Sequence, residues 1–246
     1  MQPTLKHIVE FRKVLKDYRV SERAKQDLQG LRLVLMVGPS SVGRNTVIRK
    51  LLASEDYYFV ISDTTRPPRS NDGVMEQNGR EYWFKTEEEM LEGLKNGAYL
   101  EAELIHNQQI SGISLRELEK AKQQNKIAIT DMELGGVSTV MQVKPDSMAI
   151  MLLPPSFEVW EKRMMGRGRM SNHELRRRLD TAVKVIDDGL NKNFYRYVIA
   201  DNVEHAAATI DGIVKSGAGQ QEGHAKEILR DLQYQLQQKL ESMKFI

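Results

Sequence analysis

GPSSVGRNT, residues 38–46, decides how the rest of the chain is read. Gly38 and Gly43 stand at the spacing of the pattern G-x-x-x-x-G-K-[ST]. In that pattern backbone N–H groups turn toward phosphate oxygens, a lysine reaches the β- and γ-phosphates, and a hydroxyl holds Mg²⁺. Here Arg44 replaces the lysine and Asn45 the hydroxyl residue, while Thr46 supplies a hydroxyl one position later. RLVLMV (32–37) ahead of the loop is an apolar run of strand length, and TVIRKLLAS behind it reads as helix. Strand, glycine loop, helix is the context that gives such a match meaning; the plainer alternative is a tight glycine turn. A guanidinium is planar, bulkier and more weakly hydrated than an ammonium. Arg44 can therefore neutralise phosphate charge, yet it predicts weakened turnover.

Outward from the loop the chain alternates strand and helix. YYFVISDT (57–64), IAITDM (127–132), SMAIMLLPP (147–155) and YVIADN are apolar runs of strand length, and YLEAELIHNQQISGIS (99–114) holds two shorter ones. Thr86 with Glu89 forms a capping box for EEEMLEGLKNG, and helices are expected at 115–126, 157–165, about 173–191 and 203–215. This alternation predicts an α/β fold on a parallel sheet. At the N-terminus, Leu5, Ile8, Leu15 and Tyr18 fall at helical spacing, and Ser21 caps a second short helix. KSGAGQQEGHA (215–225) reads as a linker. Beyond it Leu229, Leu232, Leu236, Leu240 and Met243 mark one face of an amphipathic helix. That face is expected either to dock on its own domain or to make a homodimer or partner contact.

The totals narrow the class. The chain has 246 residues and a net charge of +2, so no global field points to nucleic acid or membrane. The absence of cysteine excludes disulfides, thiolate nucleophiles and cysteine metal sites. The opening MQPTLKHIVEFRK is charged and unlike a secretory signal, and no apolar run is long enough to span a bilayer. A soluble, cytoplasmic protein is expected.

A second phosphate-binding segment follows the loop. SDTTRPPRSNDGVMEQNGREYWF (62–84) places Arg66 and Arg69 around two stiffening prolines, with Ser62 and Tyr82 as hydroxyl donors. Arginine forks bind phosphate oxygens in bidentate fashion. One such arginine alone would read as a solvated loop residue; two with a tyrosine favour a site. EKRMMGRGRMSNHELRRRL (161–179) is dense in positive charge, and its plainer reading is a solvated basic surface.

Taken together, GPSSVGRNT, SDTTRPPR and NGREYWF resemble the guanylate kinase family, whose loop often runs G-P-S-G-x-G-K-G-T and whose downstream signal is S-x-T-T-R-x-P-R. The resemblance covers about residues 31–215. It implies a P-loop NTPase-type parallel sheet with flanking helices, over 31–217. It also implies a small mixed nucleotide-acceptor subdomain at about 62–114 and an arginine-rich lid at about 163–178. Residues 1–30 and 218–246 are then helical extensions.

The implied activity is transfer of the γ-phosphoryl of ATP, with Mg²⁺, to GMP. By the same resemblance Gly38, Ser40, Ser41, Gly43, Arg44, Asn45 and Thr46 bind ATP, Thr46 helping to hold Mg²⁺. Ser62, Arg66, Arg69, Tyr82, Glu101, Ser111, Asp131 and Glu133 bind the acceptor, Glu101 on the guanine edge. Arg44, Arg163, Arg167 and Arg178 act on the transferring phosphoryl group, with Gly166 and Gly168 suited to a moving lid.

The chain departs from the family pattern at four places. They are Arg44, the lengthened SNDGVMEQNG, Ala200 in place of an asparagine, and Ser111 and Ile113 where G-N-Y-Y-G-[ST] has a tyrosine and a hydroxyl. An alternative reading is therefore a catalytically silent module that holds a nucleotide or phosphopeptide. Such a module has no need of the three lid arginines, which weighs for the kinase.

Overall fold

Apolar runs bounded by turn residues become strands, and periodic runs between them become helices, in the computed structural model of the chain. It describes residues 5–71, 73–166, 170–217 and 222–243. In chain order the elements begin α1 (Ile8–Asp17), α2 (Glu22–Asp27), β1 (Leu33–Val37), α3 (Arg44–Leu51), β2 (Tyr57–Phe59), β3 (Asp63–Thr64), β4 (Ser70–Asn71), β5 (Val74–Met75) and β6 (Trp83–Phe84). Then come α4 (Glu87–Lys95), β7 (Tyr99–Ile105), β8 (Gln109–Ser114), α5 (Leu115–Gln123), β9 (Ile127–Asp131) and α6 (Leu134–Val143). The last are β10 (Met148–Leu153), α7 (Phe157–Met165), α8 (Asn172–Asn191), β11 (Tyr195–Ile199), α9 (Val203–Ser216) and α10 (Glu222–Ser242). The fold is α/β, with a five-stranded parallel sheet and flanking helices. The chain divides into two compact units.

The first unit takes Val34–Glu55, Asp131–Leu134 and the chain from Met148 onward. In it β10 pairs in parallel with β1 and with β11, and β1 is buried along its whole length. A strand covered on both faces must read as a continuous apolar run, which is what LVLMV does. Helix α10 lies along α8, β11 and α7, burying Ala225, Leu229, Leu232 and Leu236. Lys239 Nζ of α10 meets Glu161 of α7 at 2.7 Å. The apolar stripe read from the sequence is thus covered by its own unit at Leu229, Leu232 and Leu236, while Leu240 and Met243 are half-buried. The middle of the expected linker, residues 218–221, lies outside the described residues.

The second unit takes the described residues up to Leu33, with Asp56–Thr130 and Gly135–Ser147. It holds the parallel pair β2–β9 and a four-stranded mixed sheet in the order β6-β3-β8-β7. One face of the mixed sheet carries Tyr99 and Ile110, packed with Met90, Leu91 and Leu94 of α4 and with Leu5 and Phe11 at the N-terminus. Tyr18 fastens α1 to β7: its hydroxyl donates to the Tyr99 carbonyl at 2.5 Å and accepts from the Tyr99 N–H at 2.9 Å. The opposite face of the sheet carries Thr64, Ser111, Glu101 and Glu103.

Three expectations are corrected. YYFVISDT is not one strand, because β2 ends at Phe59 and β3 begins at Asp63 in the other sheet. Val60 N still pairs with Ile129 O at 2.9 Å, but Ile61 N turns to the buried Glu117 carboxylate at 3.3 Å, and the ladder stops there. The polar stretch after Pro68 contains a small hairpin, β4–β5. Helix α6 has no counterpart in the sequence reading, because Gly135 and Gly136 in its first turn hide the period. No helix among the described residues is long and apolar enough to cross a membrane.

Candidate active site

The site residues fall into two sets, one in each unit. In the unit of the glycine loop, β1 delivers Gly38 at its C-terminal end, and α3 starts at Arg44 with Gly43 as its N-cap. Gly38 has φ +153°, and a Cβ there would stand 2.5 Å from the Leu152 carbonyl oxygen, so only glycine fits. Gly43 has φ +112°, again a backbone that a side chain would strain. Ser41 is left-handed too, at φ +67°, although it carries a side chain. It occupies the place where the family loop has glycine, and its buried hydroxyl finds no partner among the described residues. A left-handed serine with an unpaired buried hydroxyl is costly unless something completes the site.

Two side chains hold the loop from outside. Trp160 Nε1, from α7, donates to the Ser40 carbonyl at 2.7 Å. Arg163, on the same helix, donates from Nη1 to the Val42 carbonyl at 3.3 Å and from Nη2 to the Asp201 carbonyl at 3.2 Å. Arg44 Nη1 donates to the Met132 carbonyl at 3.1 Å, so its fork lies at the strand end that carries Asp131 and Glu133. Asp131 is half-buried and Glu133 exposed; both acids assigned to the acceptor belong to the loop unit. Asn45 and Thr46 are exposed in the first turn of α3, which contains no acid. Arg178 is tied along α8 to Glu174 at 2.8 Å, and Arg177 meets the same carboxylate. These hydrogen bonds hold the Glu174 carboxyl below its usual range. Arg167 and Gly168 lie outside the described residues.

The loop fits a polyphosphate. Its N–H groups stand at a helix N-terminus free of acids, the Ser41 hydroxyl is buried in it without a partner among the described residues, and Gly38 leaves the backbone bare. Thr46 is accessible to a metal carried by that polyphosphate. Among the described residues there is no cluster of three or more histidines and acids that could hold an ion alone.

The second set lies on the mixed sheet and its hairpin. Arg66, which the sequence suggested as a phosphate binder, is buried and forked onto buried Glu76, Nη1 to Oε2 at 2.6 Å and Nη2 to Oε1 at 2.9 Å. The Arg69 N–H also donates to Glu76, at 2.9 Å. The Arg66 guanidinium stands over the Tyr82 ring, 4.6 Å from its centroid, and over Phe84 at 5.8 Å. The structure thus gathers Arg66 and the Arg69 backbone on Glu76, with Tyr82 against the Arg66 guanidinium. Nothing in the sequence singles out Glu76, one of four acids that residues 62–84 carry beside three arginines.

Ser111 Oγ donates to Thr64 Oγ1 at 2.9 Å across β8 and β3. Ser62 is half-buried one residue before β3, and its carbonyl accepts from Trp83 N at 3.0 Å. Asp63, next to it, points to the other face. Burial raises its carboxyl above the usual range, against hydrogen bonds from the Tyr99 hydroxyl at 2.9 Å and Arg116 Nη2 at 3.2 Å. Asp63 therefore anchors the strand that presents Ser62 and Thr64. Glu101 is buried, and its carboxyl is pushed up to about 8 by desolvation and then by Glu103, against one hydrogen bond from the Ile113 N–H.

Comparisons with known proteins point to one family. The family model described as guanylate kinase matches residues 30–217. A guanylate kinase of Corynebacterium efficiens is 33% identical over 185 residues, spanning 74% of this chain and 94% of the relative. A guanylate kinase of a Synechococcus species is 36% identical over 186 residues, spanning 74% of this chain and 82% of the relative. The crystal structure of guanylate kinase from Anaplasma phagocytophilum superposes with a TM-score of 0.55 at 25% identity, covering 82% of this chain and 93% of that one.

Proposed function

The chain belongs to the guanylate kinase family, a family of nucleoside monophosphate kinases, and we propose that it transfers the γ-phosphoryl of ATP to GMP. The observation that carries this reading is Arg163, held on the carbonyl of Val42 inside the phosphate loop. A cation fixed at that place serves phosphoryl transfer, whereas a module that only holds a ligand does not need it.

In this reading the N–H groups of residues 39–46 cradle the ATP phosphates, and the Ser41 hydroxyl gains the partner it lacks among the described residues. Mg²⁺, held with ATP by Thr46, would neutralise charge on the β- and γ-oxygens. Arg44 supplies the positive charge that lysine gives in the usual loop. On the acceptor side Arg66 and Arg69 hold the phosphate with Tyr82, while Ser62, Glu101 and Ser111 address the base. Asp131 and Glu133 form the acidic strand end that addresses the metal or the acceptor. Arg163, Arg167 and Arg178 meet the charge that spreads over the transferring oxygens. The acceptor phosphate is already an anionic nucleophile, so its oxygen attacks the γ-phosphorus, the bond to the β-phosphate oxygen breaks, and ADP leaves. No protein base is consumed.

The test is Arg66→Ala with GMP as acceptor. Loss of the charged fork should weaken the GMP interaction about 10- to 150-fold, the range of a hydrogen bond to a charged group. An unchanged GMP affinity would remove Arg66 from the site.

A further inference from the structure

We propose that Glu103 reads the sugar of the acceptor nucleotide, accepting hydrogen bonds from the ribose hydroxyls and so selecting ribonucleotides over deoxyribonucleotides. The proposal rests on the mixed sheet being a nucleoside monophosphate site. It concerns a residue that neither the family pattern nor the reading above employs.

The strand register carries the argument. Residues directly opposite in an antiparallel ladder project to the same side. Glu103 is opposite Ser111, and Ser111 is opposite Thr64, so one carboxylate and two hydroxyls form a row across β7, β8 and β3. The row ends at Phe84 on β6, the neighbour of Thr64. At the β6 end stand Tyr82 and the Arg66 guanidinium, the groups suited to phosphate. At the β7 end stands Glu101, two residues from Glu103 and on the same face, opposite Ile113. A strand rises about 3.3 Å per residue, so the two acids are about 7 Å apart along β7. A nucleotide laid from Arg66 to Glu101 crosses the Thr64–Ser111 row, and its sugar passes Glu103.

The two acids are built differently. Glu101 is buried, its carboxyl under the Ile113 N–H. Glu103 is only half-buried. A Cβ on Gly135 would come within 2.5 Å of Glu103 Oε1, so the seat of this carboxylate exists because Gly135 has no side chain. Gly135 lies in the first turn of α6, an end that favours an ionised carboxylate. Ser111 stands where the family pattern has a tyrosine, so the row carries a hydroxyl there in place of a ring. A carboxylate facing vicinal hydroxyls is the arrangement by which other nucleotide folds grip a ribose.

The experiment compares affinity and kcat/KM for GMP and 2′-deoxy-GMP in the unaltered protein, Glu103→Gln and Glu103→Ala. The unaltered protein should favour GMP about 10-fold or more, the scale of one hydrogen bond to a charged group. Glu103→Ala should bring the ratio close to one while leaving the preference for guanine over adenine. Glu103→Gln keeps the shape and should lower the ratio severalfold, which decides the matter if the alanine variant fails to fold. An unaltered protein that takes GMP without discriminating the deoxy form, or a ratio untouched by the Gln variant, would overturn the proposal alone. An unaltered protein that binds no nucleoside monophosphate would overturn both the proposal and the site on which it rests.

Discussion

Arg44 donates from Nη1 to the carbonyl of Met132 at 3.1 Å, so the cation of the phosphate loop is held by the strand end that carries Asp131 and Glu133. A lysine at this position would offer a compact ammonium free to follow the phosphates; the guanidinium is a planar fork with one arm already engaged. The loop therefore keeps its positive charge but ties it to backbone. This relation bears on whether GPSSVGRNT turns over, and it explains why reduced rather than absent activity is expected.

The buried fork of Arg66 on Glu76 gives the first prediction. Removing one partner of a buried ion pair leaves an uncompensated charge and costs about 3–5 kcal/mol. Glu76→Ala should lose stability on that scale in urea denaturation. Glu76→Gln keeps the shape and should lose less, yet still raise the KM for the acceptor, because the guanidinium is no longer held in place. Equal stability of Glu76→Ala and the unaltered protein would mean that the pair does not form.

Glu101 gives a pH signature. Its carboxyl sits at about 8 in the folded chain, against 4.5 as the ordinary value. The folded state therefore retains a proton that the unfolded state releases, and the contribution of Glu101 to stability is full below about 4.5. It is lost as pH rises through about 8. Denaturation of the unaltered protein and of Glu101→Gln at pH 5, 7 and 8.5 should show the unaltered protein losing ground steadily. A constant difference across that range would contradict the assignment. The KM for GMP should fall over the same interval, as the ionised carboxyl becomes able to accept from the guanine N1–H.

Ser41 separates stability from affinity. Its left-handed backbone costs an L-residue roughly 1–2 kcal/mol, and glycine is spared that cost at the expense of some unfolded-state entropy. Ser41→Gly should leave the melting temperature unchanged or higher, while raising the KM for ATP severalfold by removing the buried hydroxyl. A lower melting temperature with unaltered KM would mean that the hydroxyl serves the fold and not the phosphates.

Much of this was legible in the chain, and the reasons are physical. The loop was readable because Gly38 and Gly43 are required by positive φ and by the Leu152 carbonyl, so their spacing is dictated by local geometry. The main strands were readable because a strand buried on both faces has no polar positions, as in LVLMV and MAIMLL. Trp160 and Met132 were not, because each acts on a residue far along the chain through a backbone atom, and Glu76 was not, because it is one of four acids in residues 62–84. Trp160 reaches Ser40 across 120 residues with an indole N–H, and inside an apolar helix face it reads as core. The break between Phe59 and Asp63 was hidden for the same reason: the carboxylate that takes the Ile61 N–H is Glu117, 56 residues on. Helix α6 escaped because two glycines open it.

The most direct test of the central claim is ADP formation from ATP and Mg²⁺ with GMP, AMP, UMP, CMP or no acceptor, run beside Arg44→Lys and Arg44→Ala. Slow turnover that depends on GMP is expected, with faster turnover in Arg44→Lys and a loss of about 100-fold or more in Arg44→Ala, the scale for removing one group that stabilises transition-state charge. No GMP-dependent turnover in either the unaltered protein or Arg44→Lys, with GMP still bound, would contradict it and leave a binding module.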